Sequence, residues 1–343
     1  MLNEIRIAVD AMGGEGSPKK TIDGVINHFN KNKKVFYKIF GDEAKIKNII
    51  GNKMPSDNYA IINTTNIVND NDSPLSAAKK KDTSMLKAIE SVKNKESDVA
   101  ISAGNTGALF VIAKLNLKMI NSINKPALSG LWPNKKGFNI VLDLGANIQC
   151  DEKDMLDFSI MGASLYKSLF PADDAKVALL NIGSEEMKGN DIVKNSYQLI
   201  TKHNQKLFEF KGYVEGNNIM NGDVNVIVTD GFTGNIALKT AEGTANFITE
   251  ELKKALSSSF LSKFLSFLNI RSLKKFKNKL DPRKYNGAIL IGLDSPVIKS
   301  HGSTDFLGFS NSLDVCEKIV KNKLIDKIKE NIHKWELTLL KKI

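Results

Sequence analysis

Seven short apolar runs punctuate the chain: Ile5 to Val9, Val35 to Phe40, Asp98 to Ser102, Asn139 to Asp143, Lys176 to Asn181, Val224 to Thr229 and Ala288 to Leu293. Their length and β-branched content predict buried strands. Between them, apolar residues recur at helical spacing over Leu75 to Val92, Ala108 to Ile120, Met155 to Phe170 and Asp191 to His203. Strand and helix alternate, which predicts an α/β fold with a mostly parallel sheet covered on both faces. Near the end, Cys316, Ile319, Val320, Ile328, Ile332, Trp335 and Leu339 read as one docking helix. No repeat, low-complexity tract or Pro-rich linker divides the chain, so residues 1–343 read as a single domain.

Glycines cluster just past the strands. They fall in Asp10-Ala11-Met12-Gly13-Gly14, Ala103-Gly104-Asn105-Thr106-Gly107 and Asp143-Leu144-Gly145-Ala146-Asn147. Three more loops follow suit: Asn181-Ile182-Gly183 through Lys188-Gly189-Asn190, Asp230-Gly231-Phe232-Thr233-Gly234-Asn235, and Lys299-Ser300-His301-Gly302-Ser303. In an open α/β sheet the carboxyl ends of parallel strands border the ligand crevice, and glycine lets backbone N–H groups approach a ligand. Any one such loop is an ordinary tight turn. Six together predict one shared pocket whose N–H donors suit phosphate or an oxyanion. Neither GxGxxG nor GxxxxGK[ST] is present, which weakens dinucleotide and nucleoside-triphosphate readings.

The net charge of +11 changes the picture only locally. Residues 252–284 hold eight lysines and two arginines against one acid, Asp281. Within this arm Leu256, Phe260, Leu261, Phe264, Leu265 and Leu268 fall on one helical face, with Arg271, Lys274, Lys275, Lys277 and Lys279 behind. That pattern predicts an interfacial helix on anionic membrane, with a dimer-packing helix or a dock for an acidic protein as alternatives. The two cysteines, Cys150 and Cys316, lack CxxC spacing, and the N-terminus is too short of apolar residues for a secretory signal, so a cytoplasmic protein is expected. No apolar run reaches the roughly 20 residues of a spanning helix.

The inventory of reactive residues favours a reaction without a protein nucleophile. Of His28, His203, His301 and His333 only His301 lies in a candidate loop, no GxSxG elbow accompanies it, and neither HExxH nor an acidic cluster suggests a metal. Attack of phosphate on a thioester fits, because phosphate is already anionic and a thiol of pKa about 8.5 leaves readily. Lys188 is the candidate cation and Asn235 the candidate oxyanion donor, each with a plain alternative as a solvated lysine and a helix cap.

Nine ordered stretches carry a resemblance to a known family: Ala8 to Gly14, Lys80 to Met85, Ser102 to Ala108, Asp143 to Asn147, Leu179 to Gly183, Lys188 to Asn190, Gly212 to Gly216, Thr229 to Asn235, and Ile298 to Ser303. The chain resembles the bacterial acyl-carrier-protein:phosphate acyltransferases of phospholipid synthesis over nearly its whole length. It departs in Glu15-Gly16-Ser17-Pro18, where the family usually has Asp-His-Ala-Pro, and at Gln149, where an acid is usual. The resemblance implies a homodimer with a three-layer α/β/α Rossmann-like sandwich akin to the phosphate acetyltransferase and isocitrate dehydrogenase scaffold, with the arm protruding. It implies no cofactor, in keeping with the absence of a metal motif in the residue inventory. Acyl carrier protein would be the donor, inorganic phosphate the acceptor, and a membrane glycerol-3-phosphate acyltransferase the consumer of the acyl phosphate, with the enzyme resting peripherally on the inner membrane face. The six loops themselves, rather than the resemblance, offer the substrate- and phosphate-contacting residues expected here: Asp10, Gly13, Gly14, Gly104, Asn105, Thr106, Gly107, Asn147, Asn181, Gly183, Asn190, Asp230, Gly231, Thr233, Gly234, His301, Gly302 and Ser303. Rival readings are a coenzyme-A-dependent phosphate acetyl- or butyryltransferase and a basic nucleic-acid binder.

Overall fold

The computed structural model describes residues 5–171, 174–203, 207–259, 269–279 and 281–340. Among them one sheet is built from β1 (Ile5–Asp10), β2 (Val35–Gly41), β3 (Tyr59–Asn63), β4 (Val99–Ser102), β5 (Ala127–Pro133), β6 (Phe138–Leu142), β7 (Lys176–Asn181), β8 (Glu209–Glu215), β9 (Val226–Val228), β10 (Ala288–Ile291) and β11 (Val297–Lys299). The helices are α1 (Lys19–Lys31), α2 (Glu43–Ile50), α3 (Pro74–Lys79), α4 (Ser84–Lys93), α5 (Thr106–Asn116), α6 (Glu152–Leu169), α7 (Asp191–His203), α8 (Gly231–Leu256), α9 (Ile270–Lys279), α10 (Phe306–Lys321) and α11 (Leu324–Leu340).

The strand order is β3-β2-β1-β4-β11-β10-β5-β6-β9-β7-β8. Pairing is parallel from β3 to β11 and again from β6 to β8. The pairs β11–β10, β10–β5 and β5–β6 are antiparallel. Three reversals leave the two halves running in opposite directions. The carboxyl tips of β1, β4 and β11 therefore lie at one edge of the sheet, and those of β6, β7 and β9 at the other.

Side chains alternate between the faces of a strand, and here the two faces pack differently. On one face, Ile7, Val9, Ile101, Leu142, Leu179 and Val228 join α1, α6, α10 and α11 in a single continuous core. Each buried aliphatic or aromatic side chain there contributes roughly 1.5–3 kcal/mol. On the other face the core is split. Ala8, Ala100, Leu290 and Val297 pack under α4 and α5. Val141, Ala178, Leu180 and Ile227 pack separately, against Ala237, Leu238 and Ala241 of α8. The division falls between β10 and β5.

Three helical expectations change. The stretch 75–92 is two helices, because Asp82 adopts a positive φ of 55° and the Thr83 side chain caps α4 by accepting from Leu86 N–H. The C-terminal docking helix is likewise two, α10 and α11, parted at Lys323 with φ 53°. The arm is not one unbroken helix either: α8 ends at Leu256 with Ser257 as its cap, and α9 starts anew at Ile270. Phe260, Leu261, Phe264, Leu265 and Leu268 lie outside the described residues.

Candidate active site

The six loops do not form one ring; they form two groups, one at each edge of the sheet. The first gathers the ends of β1, β4 and β11. Strand parity places Asp10, Ser102 and Lys299 on the face where the core is split, in step with Ala8, Ala100 and Val297. Ser102 Oγ donates to Asp10 Oδ2 at 2.6 Å and accepts Gly104 N–H at 3.0 Å, while Met12 N–H reaches Asp10 Oδ1 at 3.2 Å. Burial pushes the Asp10 carboxyl above its usual range, against the hydrogen bonds from Ser102 and Ser84. Backbones meet closely here. A Cβ on Gly13 would lie 2.6 Å from Gly104 N and 2.7 Å from Asp10 Oδ2.

Two lysines close this group. Lys20 and Lys299 are each 9% exposed. Lys20 Nζ donates to the Gly302 carbonyl at 2.6 Å, and Lys299 Nζ donates to the carbonyls of Ala103, at 3.4 Å, and Ser300. Burial lowers both ammonium groups, and for Lys299 the neighbouring Lys20 adds to it, bringing it to about 8. At the exposed tip, His301 Nδ1 pairs with Ser303 Oγ at 3.0 Å and accepts a long bond from Ser303 N–H. Desolvation first, then Lys299, pushes His301 below its usual value; Glu242 of α8 opposes this and Lys239 adds to it. His301 thus faces α8 across the split in the core.

Several residues of this group serve the loops themselves. Asn105 caps α5 by accepting Ala108 N–H at 3.0 Å, and its amide donates to the carbonyls of Asp70 and Asp72. Thr106 is exposed in the first turn of α5.

The second group is more self-contained. Asp143 accepts from the N–H groups of Leu128, Gly145, Ala146 and Asn147 and from the Asn147 side chain, all within 2.7–3.1 Å. Asn147 also donates to the Pro126 carbonyl. Asp230 caps α8, accepting from Thr233 N–H and Oγ at 2.8 Å. Asn235 is therefore no cap: α8 begins at Gly231, and Asn235 Nδ2 donates to the Leu144 carbonyl at 3.1 Å. Gly234 can be nothing larger, because a Cβ would collide with the Asp143 carbonyl. In the neighbouring loop Asn181 donates to the Lys188 carbonyl and Asn190 accepts from Val193 N–H, while the Lys188 side chain is exposed. The groups are linked by α8: from Asn235 to Lys239 and Glu242 is about 6 and about 10 Å along its axis.

Sequence reasoning passed over Lys20, and it included Lys299, Ser84 and Ser102 in its motifs without giving them a role. Lys299 did carry a signal, a charge closing the apolar run Val297-Ile298; Lys20, beside Lys19, reads as solvated. Among the described residues no group of three or more His, Cys, Asp or Glu is placed to hold a metal ion.

A family model described as fatty acid synthesis protein matches residues 5–327. A phosphate acyltransferase of Pelagibacter ubique is 66% identical over 329 residues, covering 96% of this chain and 98% of that protein. One of Agrobacterium fabrum is 40% identical over 331 residues, covering 96% and 94%. Among solved structures, the EutD phosphotransacetylase from Staphylococcus aureus aligns with a TM-score of 0.60 at 15% identity over 92% of this chain and 94% of that one. A phosphotransacetylase from Streptococcus pyogenes aligns at 0.59 and 15% over 97% and 95%. At that identity the structural likeness bears on the fold alone, and it agrees with the Rossmann-like layered scaffold expected from the sequence.

Proposed function

The chain belongs to the fatty acid synthesis protein family, and from that premise we propose that it moves a long-chain acyl group from acyl carrier protein to inorganic phosphate. It is an acyltransferase acting on phosphate, in phospholipid synthesis. The reaction is direct. A phosphate oxygen attacks the thioester carbonyl, the tetrahedral oxyanion collapses, the C–S bond breaks, and the thiolate leaves with its electron pair while acyl phosphate forms. No cofactor is needed for this step.

The observation that carries the reading is the first loop group, where close-packed glycine backbones border the ammonium groups of Lys20 and Lys299 at the tips of β1, β4 and β11. Its companion is the state of the thiols. Burial pushes Cys150 up to about 12 and Cys316 well above its usual value, so neither supplies a thiolate to carry an acyl group at neutral pH. Asn235 and Lys188, in the second group, remain our candidates for the donor side, and a direct attack then requires the thioester carbonyl to lie along α8 between the two groups, within reach of the phosphate.

The chain works as one domain and as a homodimer in this reading. Support for the dimer comes from α8, which leaves Phe232, Ile236, Phe247 and Ile248 exposed, Phe247 by 65%. Among the described residues no helix is long and apolar enough to cross a membrane. Peripheral contact with an anionic bilayer is supported by α9, where Arg271, Lys274 and Lys275 accompany exposed Ile270 and Phe276. The acyl phosphate would pass there to a membrane acyltransferase.

The test mixes protein, acyl-carrier thioester and phosphate, follows free thiol, and traps product with hydroxylamine. Phosphate-dependent thiol release matched by hydroxamate is expected. Equal release with coenzyme A thioesters and none with the carrier would replace the donor named here.

A further inference from the structure

Resting on the acyl-transfer reading, we propose that the acceptor phosphate is held by Lys299, with Lys20 as its second cation, at the tips of β1, β4 and β11. Both ammonium groups are buried, and each is satisfied by backbone carbonyls alone; among the described residues neither forms an ion pair. Two cations of one sign side by side, without a carboxylate in contact, are unfavourable until an anion arrives. The nearby acids are set back: Glu15 and Asp70 act on Lys20, and Asp70 and Asp10 on Lys299, through space only.

The surrounding backbone fits the same ligand. Gly14 has φ 82°, and a Cβ there would lie 2.7 Å from the Ala103 carbonyl, 2.9 Å from Lys20 Nζ and 3.0 Å from the Gly302 carbonyl. The same Ala103 carbonyl receives Lys299 Nζ. Both lysines thus converge on one patch of backbone, beside the start of α5, whose N–H groups favour an anion. His301, facing this patch, stands at the exit toward α8. Lys188, by contrast, is exposed on the opposite edge of the sheet.

An anion placed on Lys299 raises its proton affinity, so the intact protein takes up protons on binding phosphate at pH about 8.5, where phosphate is already dianionic. Calorimetric titration with inorganic phosphate alone, in two buffers of different ionisation enthalpy, reads that uptake directly. Steady-state assays of Lys299→Met and Lys20→Met complete the test. The expected results are proton uptake in the wild type, a rise of about 10² in phosphate KM for Lys299→Met, a smaller rise of about tenfold for Lys20→Met, and a donor KM within about twofold. Phosphate binding without proton uptake, or an unchanged phosphate KM in folded Lys299→Met, overturns the assignment while leaving acyl transfer intact. Proton-linked phosphate binding in a protein that releases no thiol would instead keep the site and remove the reaction.

Discussion

The two loop groups use similar residues to opposite ends. In the second, Asp143, Asn147, Asp230 and Asn181 are engaged with the backbone of their own and adjoining loops, so polar side chains act as rivets. In the first, two ammonium groups sit buried on carbonyls with their charge uncompensated by contact. A Gly- and Asn-rich loop is therefore not in itself a ligand site. What separates the groups is whether charge is left over once the loop has satisfied itself.

The largest effects are expected at the rivets. Asp143→Ala removes a fully buried acceptor that ties down five donors, and each lost hydrogen bond costs about 1 kcal/mol. The expected outcome is a protein unfolded or heavily destabilised in a thermal melt; a Tm within a few degrees of wild type would show the loop to be held otherwise. Gly234→Ala should behave alike, since its methyl has nowhere to go.

Next in size are the carbonyl-side candidates. Asn235→Ala should lower kcat by about 10² with an unchanged phosphate KM, as loss of a transition-state donor does, and Lys188→Ala, exposed at the far edge, should lower it less. Near-normal turnover for Asn235→Ala would leave it a rivet like its neighbours.

A smaller effect concerns stability and pH. Lys299 is lowered to about 8 in the fold from 10.5 in an open chain. Between those values the unfolded state binds more protons, so stability rises with pH across that window, and the cost of the buried charge is present in full below about 8. Lys299→Met should therefore melt above wild type at pH 7, with the gap closing by about pH 10. A gap independent of pH would mean that packing, not charge, sets it. Smallest is the arm: Lys274→Ala should weaken binding to anionic vesicles by about fivefold, at about 1 kcal/mol per charge, without altering turnover of soluble substrate.

Much of this was legible in the chain. The buried strands announced themselves because both faces are covered, giving continuous apolar runs such as Ile5 to Val9 and Lys176 to Asn181. Edge strands did not: β3 and β8 are largely half-exposed or exposed, and Glu209–Glu215 mixes charge and glycine. β11 spans only Val297–Lys299, too brief for a periodicity. The reversal through β10, β5 and β6 was illegible because strand direction depends on partners distant in sequence, and with it went the expectation of a single ring of loops. Lys20 was hidden for a related reason: only the fold lays it beside Gly302, 282 residues away.

The division between the two groups is tested most directly by one steady-state experiment, in which phosphate is varied at saturating acyl-carrier thioester for wild type, Lys299→Met and Asn235→Ala. Lys299→Met is expected to shift the phosphate KM and approach wild-type turnover at high phosphate, whereas Asn235→Ala lowers the plateau and leaves that KM in place. The reverse pattern, with Asn235 setting the phosphate KM and Lys299 setting only the plateau, would contradict it.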